Sequence, residues 1–443
     1  MNRFATLVLF LFSFYAAAQD THILTQQEQA KVLDAVLEER LRTVLPGLMR
    51  REGIDMWILI SREYHEDPVM KTMLPAQWMA ARRTTMLVVF DGGPGKDTEY
   101  LAVSRYDVGK IFIRSWDPEQ QPDQWAQLAK LVEERNPKRI AINKSAHGGL
   151  TDGLSAGDHE LLLRAISKKF HPHIVPAETL AIGWLETRTE REQVMYRQIC
   201  RIAHDIIAEG FSEKVIHPGI TTTDDVAWWY REQIKALKLD TWFHPSVSIQ
   251  RNEPDVQFLK RPQPVVIMPG DLLHVDFGIT YLRLNTDTQQ HAYVLKSGET
   301  DAPEFLKRAF SRGNKLQDIL IRNFSEGTSG NELLARARKQ AIDQGLTPSI
   351  YTHPIGHHGH AAGTTIGMWD MQTGVPHLGD YPLHYNTAYS IELNVTLYLI
   401  EWKKEIQIKL EEDGVFTEDG FSYLDGRQTE LLLIPRPDKI NKP

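Results

Sequence analysis

One aspartate lies where an apolar strand normally rejects charge, and a second follows it closely. Asp276 sits inside LLHVDFGI at 272–279, and Asp287 follows eleven positions later in LRLNTDTQQ. A buried carboxylate without compensation is expensive. Two that converge across a bend repel each other unless a cation lies between them. The bland alternative puts one at a turn and the other in water. YTHPIGHHGH at 351–360 then supplies His353, His357, His358 and His360. Pro354 and Gly356 argue for a tight loop, and no Glu follows the first His, which excludes the helical zinc-protease motif. Such histidines supply an imidazole ligand and a proton shuttle or substrate contact, or else pH-sensitive surface groups. Glu392 stands in the β-prone run SIELNV, and Glu411 ends the alternating strand of IKLEEDGVFTEDG at 408–420. Alone, each reads as a wet strand edge or hairpin end. Together, four carboxylates and one imidazole suit two hard or borderline divalent ions. Such a pair lowers the pKa of a shared water and polarises a carbonyl.

The elements that must position these residues fall into two blocks. Apolar spacing predicts a helix over 26–51, interrupted at Pro46, then a strand at 55–61. A hairpin at 84–90 and 100–103 turns through GGPG; a helix at 125–135, a strand at 139–143, a helix at 158–168 and a short strand at 173–175 follow. This alternation is that of an α/β layer domain. From 183–190 the text changes to a long charge-rich helix, a second helix at 223–237, and strands at 246–249, 265–268 and 271–280. Helices at 303–323 and 330–344 and extended segments near 390–400, 405–410 and 429–434 complete an α+β block. Its helices are expected to cover one face of a curved, mostly antiparallel sheet.

VDFG, the second aspartate, His353-x-x-x-His357, SIEL and LEEDGVFTEDG resemble the metallopeptidase family of methionine aminopeptidase, prolidase, aminopeptidase P and creatinase. The preceding block resembles, more weakly, the amino-terminal domain of the creatinase, prolidase and aminopeptidase P branch. The resemblance implies an amino-terminal domain over 22–182 and a pita-bread catalytic domain over 183–443, after a signal segment at 1–18. It implies two metals, manganese first, with cobalt or zinc as alternatives. Carried over by position, Asp276 and Asp287 hold one ion, with Asp276 bridging. His357 and Glu392 hold the other, and Glu411 bridges. Glu392 also acts as general base, and His353 lines the substrate site. Creatinase lacks most of these ligands and works without metal, so the intact set points away from it.

Three departures accompany the match. Proline-directed members carry a His upstream of the first metal Asp; the matching position here is near Leu259, with Gln257, Lys260 and Arg261 as polar neighbours. The family's His shortly after the metal His is matched by His360 or displaced by Trp369. Asn394 follows Glu392-Leu393 where Glu-Pro-Gly is usual, and Lys409 stands for Arg.

Asn2 and Arg3 before an apolar run, closed by Ala16-Ala17-Ala18, read as a cleavable signal and place the mature chain in the periplasm or outside the cell. No later segment reaches the length of a membrane span. The lone Cys200 makes no internal disulfide and reads as a small core side chain. A net charge of −8 without basic clusters argues against nucleic acid as partner. The expected function is hydrolysis of short peptides, with Xaa-Pro aminopeptidase or dipeptidase first, by hydroxide attack on the amide carbonyl. A metal-dependent hydrolase or lyase on a non-peptide small molecule is the alternative, and a non-catalytic peptide-binding relative the third reading. The resemblance also implies a homo-oligomer, a dimer or larger.

Overall fold

The structure is a computed structural model, and it describes residues 23–252 and 264–437. The expected signal segment and the positions around Leu259 lie outside the described residues. Four helices start on capping boxes written in the sequence: Gln26–Thr43 on Thr25/Glu28, Glu190–Gly210 on Thr189/Glu192, Thr223–Ala236 on Thr222/Asp225, and Gly330–Asp343 on Ser329/Glu332. Each reciprocal pair satisfies two backbone N–H groups that the helix leaves free. The first predicted helix breaks at Val44. The chain restarts as Leu45–Glu52 with Pro46 in its first turn, where a missing N–H costs nothing, and stops at Gly53 with φ 63°.

The amino-terminal block is one six-stranded sheet. Met56–Arg62 lies antiparallel to Thr84–Asp91 and parallel to Ile140–Ile142. Its side chains alternate between two cores: Trp57 and Leu59 on one face, Met56, Ile58 and Ile60 on the other. The expected boundary at 182/183 falls inside a helix, Glu178–Glu186, whose Ala181, Trp184 and Leu185 join the amino-terminal core. The cores of the second block begin at Tyr196.

The second block has the expected α+β character, with its curved sheet divided. One sheet orders Leu432–Ile434, Thr288–Val294, Leu272–Phe277 and Ser246–Gln250. A second orders Pro348–Ile350, Leu393–Leu399 and Lys404–Leu410, and a third His353–Pro354, Thr387–Ser390, Asp413–Thr417 and Gly420–Tyr423. The continuous strand expected near 390–400 is thus two strands in different sheets, parted at Ile391-Glu392. The strand expected at 265–268 is reduced to an isolated bridge between Thr222 and Val266. Glu190–Gly210 and Thr223–Ala236 cover one core, and Glu304–Ile321 and Gly330–Asp343 cover the other. Among the described residues, no helix is long and apolar enough to cross a membrane.

Candidate metal centre

The acidic residues meet where the three sheets adjoin. Asp276 lies in Leu272–Phe277, opposite Gln289 across an antiparallel ladder. Asp287 directly precedes Thr288–Val294. Glu392 stands in the gap between Thr387–Ser390 and Leu393–Leu399. Glu411 stands in the gap between Lys404–Leu410 and Asp413–Thr417, bridged to Gln289. A strand changing sheets re-aims its side chains, so gaps place acids at the centre that a regular strand would hold on one face.

Three sets of donor atoms lie within 4.8 Å of one another: Asp276, Asp287 and Glu411; His353, Glu392 and Glu411; and Asp287, His353 and His360. Asp287, His353 and Glu411 each belong to two sets, and Asp276, Glu392 and His360 to one. Ser390 Oγ donates to Glu411 Oε1 at 2.7 Å. The Asp287 N–H donates to Asp413 Oδ2 at 3.2 Å. His353 Nδ1 lies 2.9 Å from the Pro354 carbonyl, which leaves Nε2 facing Glu411 Oε1 at 3.6 Å and Asp287 Oδ2 at 3.7 Å.

Burial, then mutual repulsion, holds these acids up. Asp287 is pushed well above the usual carboxylate range by burial and by Glu411, Asp276 and Glu392. Glu392 rises through burial and Glu411, and Glu411 through burial and Asp276. Asp276 is raised by burial, against the pull of Lys409. Asp287 Oδ1 and His353 Nε2 are buried with no hydrogen-bond partner. Orphaned acceptors beside repelling carboxylates fit a divalent cation held by Asp276, Asp287, His353, Glu392 and Glu411.

His357 is not among them. Past Pro354 the chain turns: Ile355 N–H bonds the Ala388 carbonyl, and the Gly356 carbonyl accepts from Asn285. Gly356 packs so closely on Arg188 that a Cβ would stand 3.3 Å from its guanidinium carbon. His357 therefore emerges on the far side, with Nδ1 3.2 Å from the Arg283 carbonyl and Arg188 and Arg40 nearby. The imidazole expected at His357 is supplied at the acids by His353. His360, exposed at the rim, reaches Asp287 and His353, and its ring lies 5.1 Å from Trp242 and 5.8 Å from Tyr351. Trp369 is 75% exposed and does not displace it. Cys200 is free and buried, and burial and Asp413 push its thiol up.

Sequence reasoning missed Gln289 and His274. Gln289 follows Asp287 by two and His274 precedes Asp276 by two, and alternation puts such pairs on one face of a strand. That signal was present in the sequence.

A family model described as metallopeptidase family M24 matches residues 195–419, just over half of the chain. Comparison with curated proteins returned no match. Among solved structures, the chain is similar to an X-Pro aminopeptidase from Thermotoga maritima MSB8, with 18% identity, a TM-score of 0.60, and 87% of this chain and 99% of that one covered. It is similar to a putative aminopeptidase P from Bacillus anthracis, with 13% identity, a TM-score of 0.60, and 89% and 96% covered. It is also similar to a prolidase from Pyrococcus furiosus, with 14% identity, a TM-score of 0.53, and 87% and 100% covered. At these identities the likeness is one of fold.

Proposed function

Because this chain belongs to metallopeptidase family M24, we propose that it is an exported hydrolase that cleaves short peptides with two divalent ions, manganese first, on Asp276, Asp287, His353, Glu392 and Glu411. The observation that carries this reading is the pair of orphaned buried atoms, Asp287 Oδ1 and His353 Nε2, inside a cluster of repelling carboxylates. When bound, the ions supply charge that lowers the pKa of water and polarises the scissile carbonyl.

The chain's own groups do the rest. Glu392 is only half-buried and lies across from His353, placed to take a proton from the attacking water and return it to the leaving nitrogen. His360 at the rim offers an imidazole to the substrate's carbonyl or terminal carboxylate. Trp242 and Tyr351, packed beside it, form an aromatic wall suited to the apolar ring of a proline or a neighbouring side chain. The similar solved structures, an X-Pro aminopeptidase and a prolidase, make Xaa-Pro dipeptides and tripeptides the first substrates to try. The test strips the purified chain with a chelator and assays Xaa-Pro and proline-free peptides before and after adding Mn²⁺. Activity should vanish and return. Undiminished turnover after verified metal removal would overturn the mechanism.

A further inference from the structure

The acidic centre is lined by more than acids. Gln289 Nε2 donates to Glu392 Oε1 at 2.9 Å and to Glu411 Oε2 at 2.6 Å. A side-chain amide has two N–H donors, and both are spent on these glutamates. The backbones of Gln289 and Glu411 are bonded in both directions, N to O, at 3.0 and 3.3 Å, which fixes the amide's root beside one of its acceptors. On its other side, Gln289 Oε1 lies 2.8 Å from His274 Nε2, and His274 Nδ1 lies 3.4 Å from Ser248 Oγ. The three strands carrying Ser248, His274 and Gln289 are neighbours in one sheet.

The chemistry of the donors sets the polarity of this chain. An amide oxygen only accepts, so the proton between His274 and Gln289 sits on Nε2. With its oxygen held there, the amide must turn its nitrogen to the carboxylates. The flipped amide would press a carbonyl oxygen against two glutamates and leave the imidazole N–H facing an NH₂ group.

We propose that Gln289 is a positioning residue that clamps Glu392 and Glu411 together against their repulsion, with His274 setting the direction of the clamp. The proposal rests on reading the acidic centre as a cation site. Glu392 and Glu411 form one donor set with His353, so the clamp acts on the ion held by those three. Partners that hydrogen-bond ligating carboxylates orient them, and losing one typically costs 10- to 100-fold in metal affinity.

The full chain, stripped by chelator, is titrated with Mn²⁺ while the free ion is followed by electron paramagnetic resonance, and the thermal midpoint of each stripped variant reports folding. Gln289→Met keeps the side chain's length and loses both donors. It is expected to raise the Mn²⁺ dissociation constant about 10- to 100-fold. His274→Phe keeps a ring and is expected to raise it in the same direction. The double variant should be no weaker than Gln289→Met alone, because His274 acts through the amide, whereas a merely structural His274 would add its own loss. Native-like binding by folded Gln289→Met overturns the clamp, and an additive double variant overturns the role of His274. If Gln289→Met does not fold, native-like binding by His274→Phe overturns the proposal. A native chain that takes up no Mn²⁺ sinks the cation reading, and the clamp with it.

Discussion

Arg40, Arg188 and Glu192 are as deeply buried as Asp287 and Glu411 of the acidic centre, but the chain answers their charge itself. Arg40 Nη1 donates to Glu192 Oε2 at 2.6 Å and to the Thr187 carbonyl at 2.5 Å, and Arg188 Nη1 donates to Glu192 Oε1 at 2.9 Å. The Thr189 N–H caps Glu192 Oε2 at 2.8 Å, and the Trp184 and Leu185 carbonyls take further guanidinium N–H groups. Burial alone would raise Glu192, but Arg188 and Arg40 outweigh it and hold the carboxyl below its usual range. Glu392 and Glu411, raised by burial and by neighbouring carboxylates, go the other way. The difference separates two uses of buried charge. Where the protein supplies the counter-charge, the charge joins a helix start to the amino-terminal helix. Where it supplies only part of it, from Lys409, the remaining charge waits for something from outside.

The sharpest way to break this contrast is to remove the donors assigned to the outside cation. Asp287→Ala and His353→Ala should each lose bound metal and cut turnover at least about a thousandfold, since a catalytic ion contributes several kcal/mol to the transition state. His357→Ala should keep its metal, because His357 points toward Arg188 and Arg40. Metal analysis beside kinetics reads both. Full metal in Asp287→Ala, or lost metal in His357→Ala with His353→Ala unaffected, would reverse the assignment.

The second comparison concerns stability, and the two clusters should respond with opposite signs. Glu192→Ala leaves two guanidinia buried without their carboxylate and should cost about 3–5 kcal/mol in urea unfolding. Asp287→Asn in the stripped protein removes one of several repelling charges and should hold or raise the midpoint. A destabilised stripped Asp287→Asn beside an unaffected Glu192→Ala would erase the distinction.

What the sequence shows and hides follows the same division. Asp276 and Glu392 stand out because each interrupts an apolar, β-prone run, while Asp287 and Glu411 gain meaning from their order beside them, and that pattern survives without any structure. Capping boxes such as Thr189/Glu192 are equally visible, because both partners lie within one helical turn. The choice between His353 and His357 is not local. It depends on a turn after Pro354 that a guanidinium from residue 188 shapes by packing on Gly356. The break at Ile391-Glu392 is also hidden, because SIELNVTLYLI reads as one strand and only its partners in two different sheets, His353–Pro354 and Asp413–Thr417 in one and Pro348–Ile350 and Lys404–Leu410 in the other, pull it apart. Glu192 itself reads from sequence only as a cap. Its tie to Arg40 spans 152 positions and leaves no periodic trace.

A third cluster offers the finest test, because it lies next to the acidic centre in sequence and yet belongs with the balanced one. Glu412, adjacent to Glu411, is buried and accepts from His204 Nε2 at 2.7 Å, while His204 Nδ1 lies 3.0 Å from Asp425 Oδ2. Burial would lower this imidazole, but the two carboxylates outweigh it and push its pKa up to about 10. The folded state therefore binds the proton more tightly than the unfolded chain does. Its contribution is whole below the ordinary pKa of about 6.5 and is lost as pH climbs toward 10. A charged hydrogen bond in this partly shielded place is worth about 1–2 kcal/mol. His204→Gln keeps a donor without the charge, so the stability difference between native and variant should shrink by about that amount from pH 6 to pH 10. Subtracting the variant's curve cancels the titrations of the acidic centre common to both. A difference that stays flat across that range would mean His204 is neutral, and that Glu412 shares the unanswered charge of its neighbour.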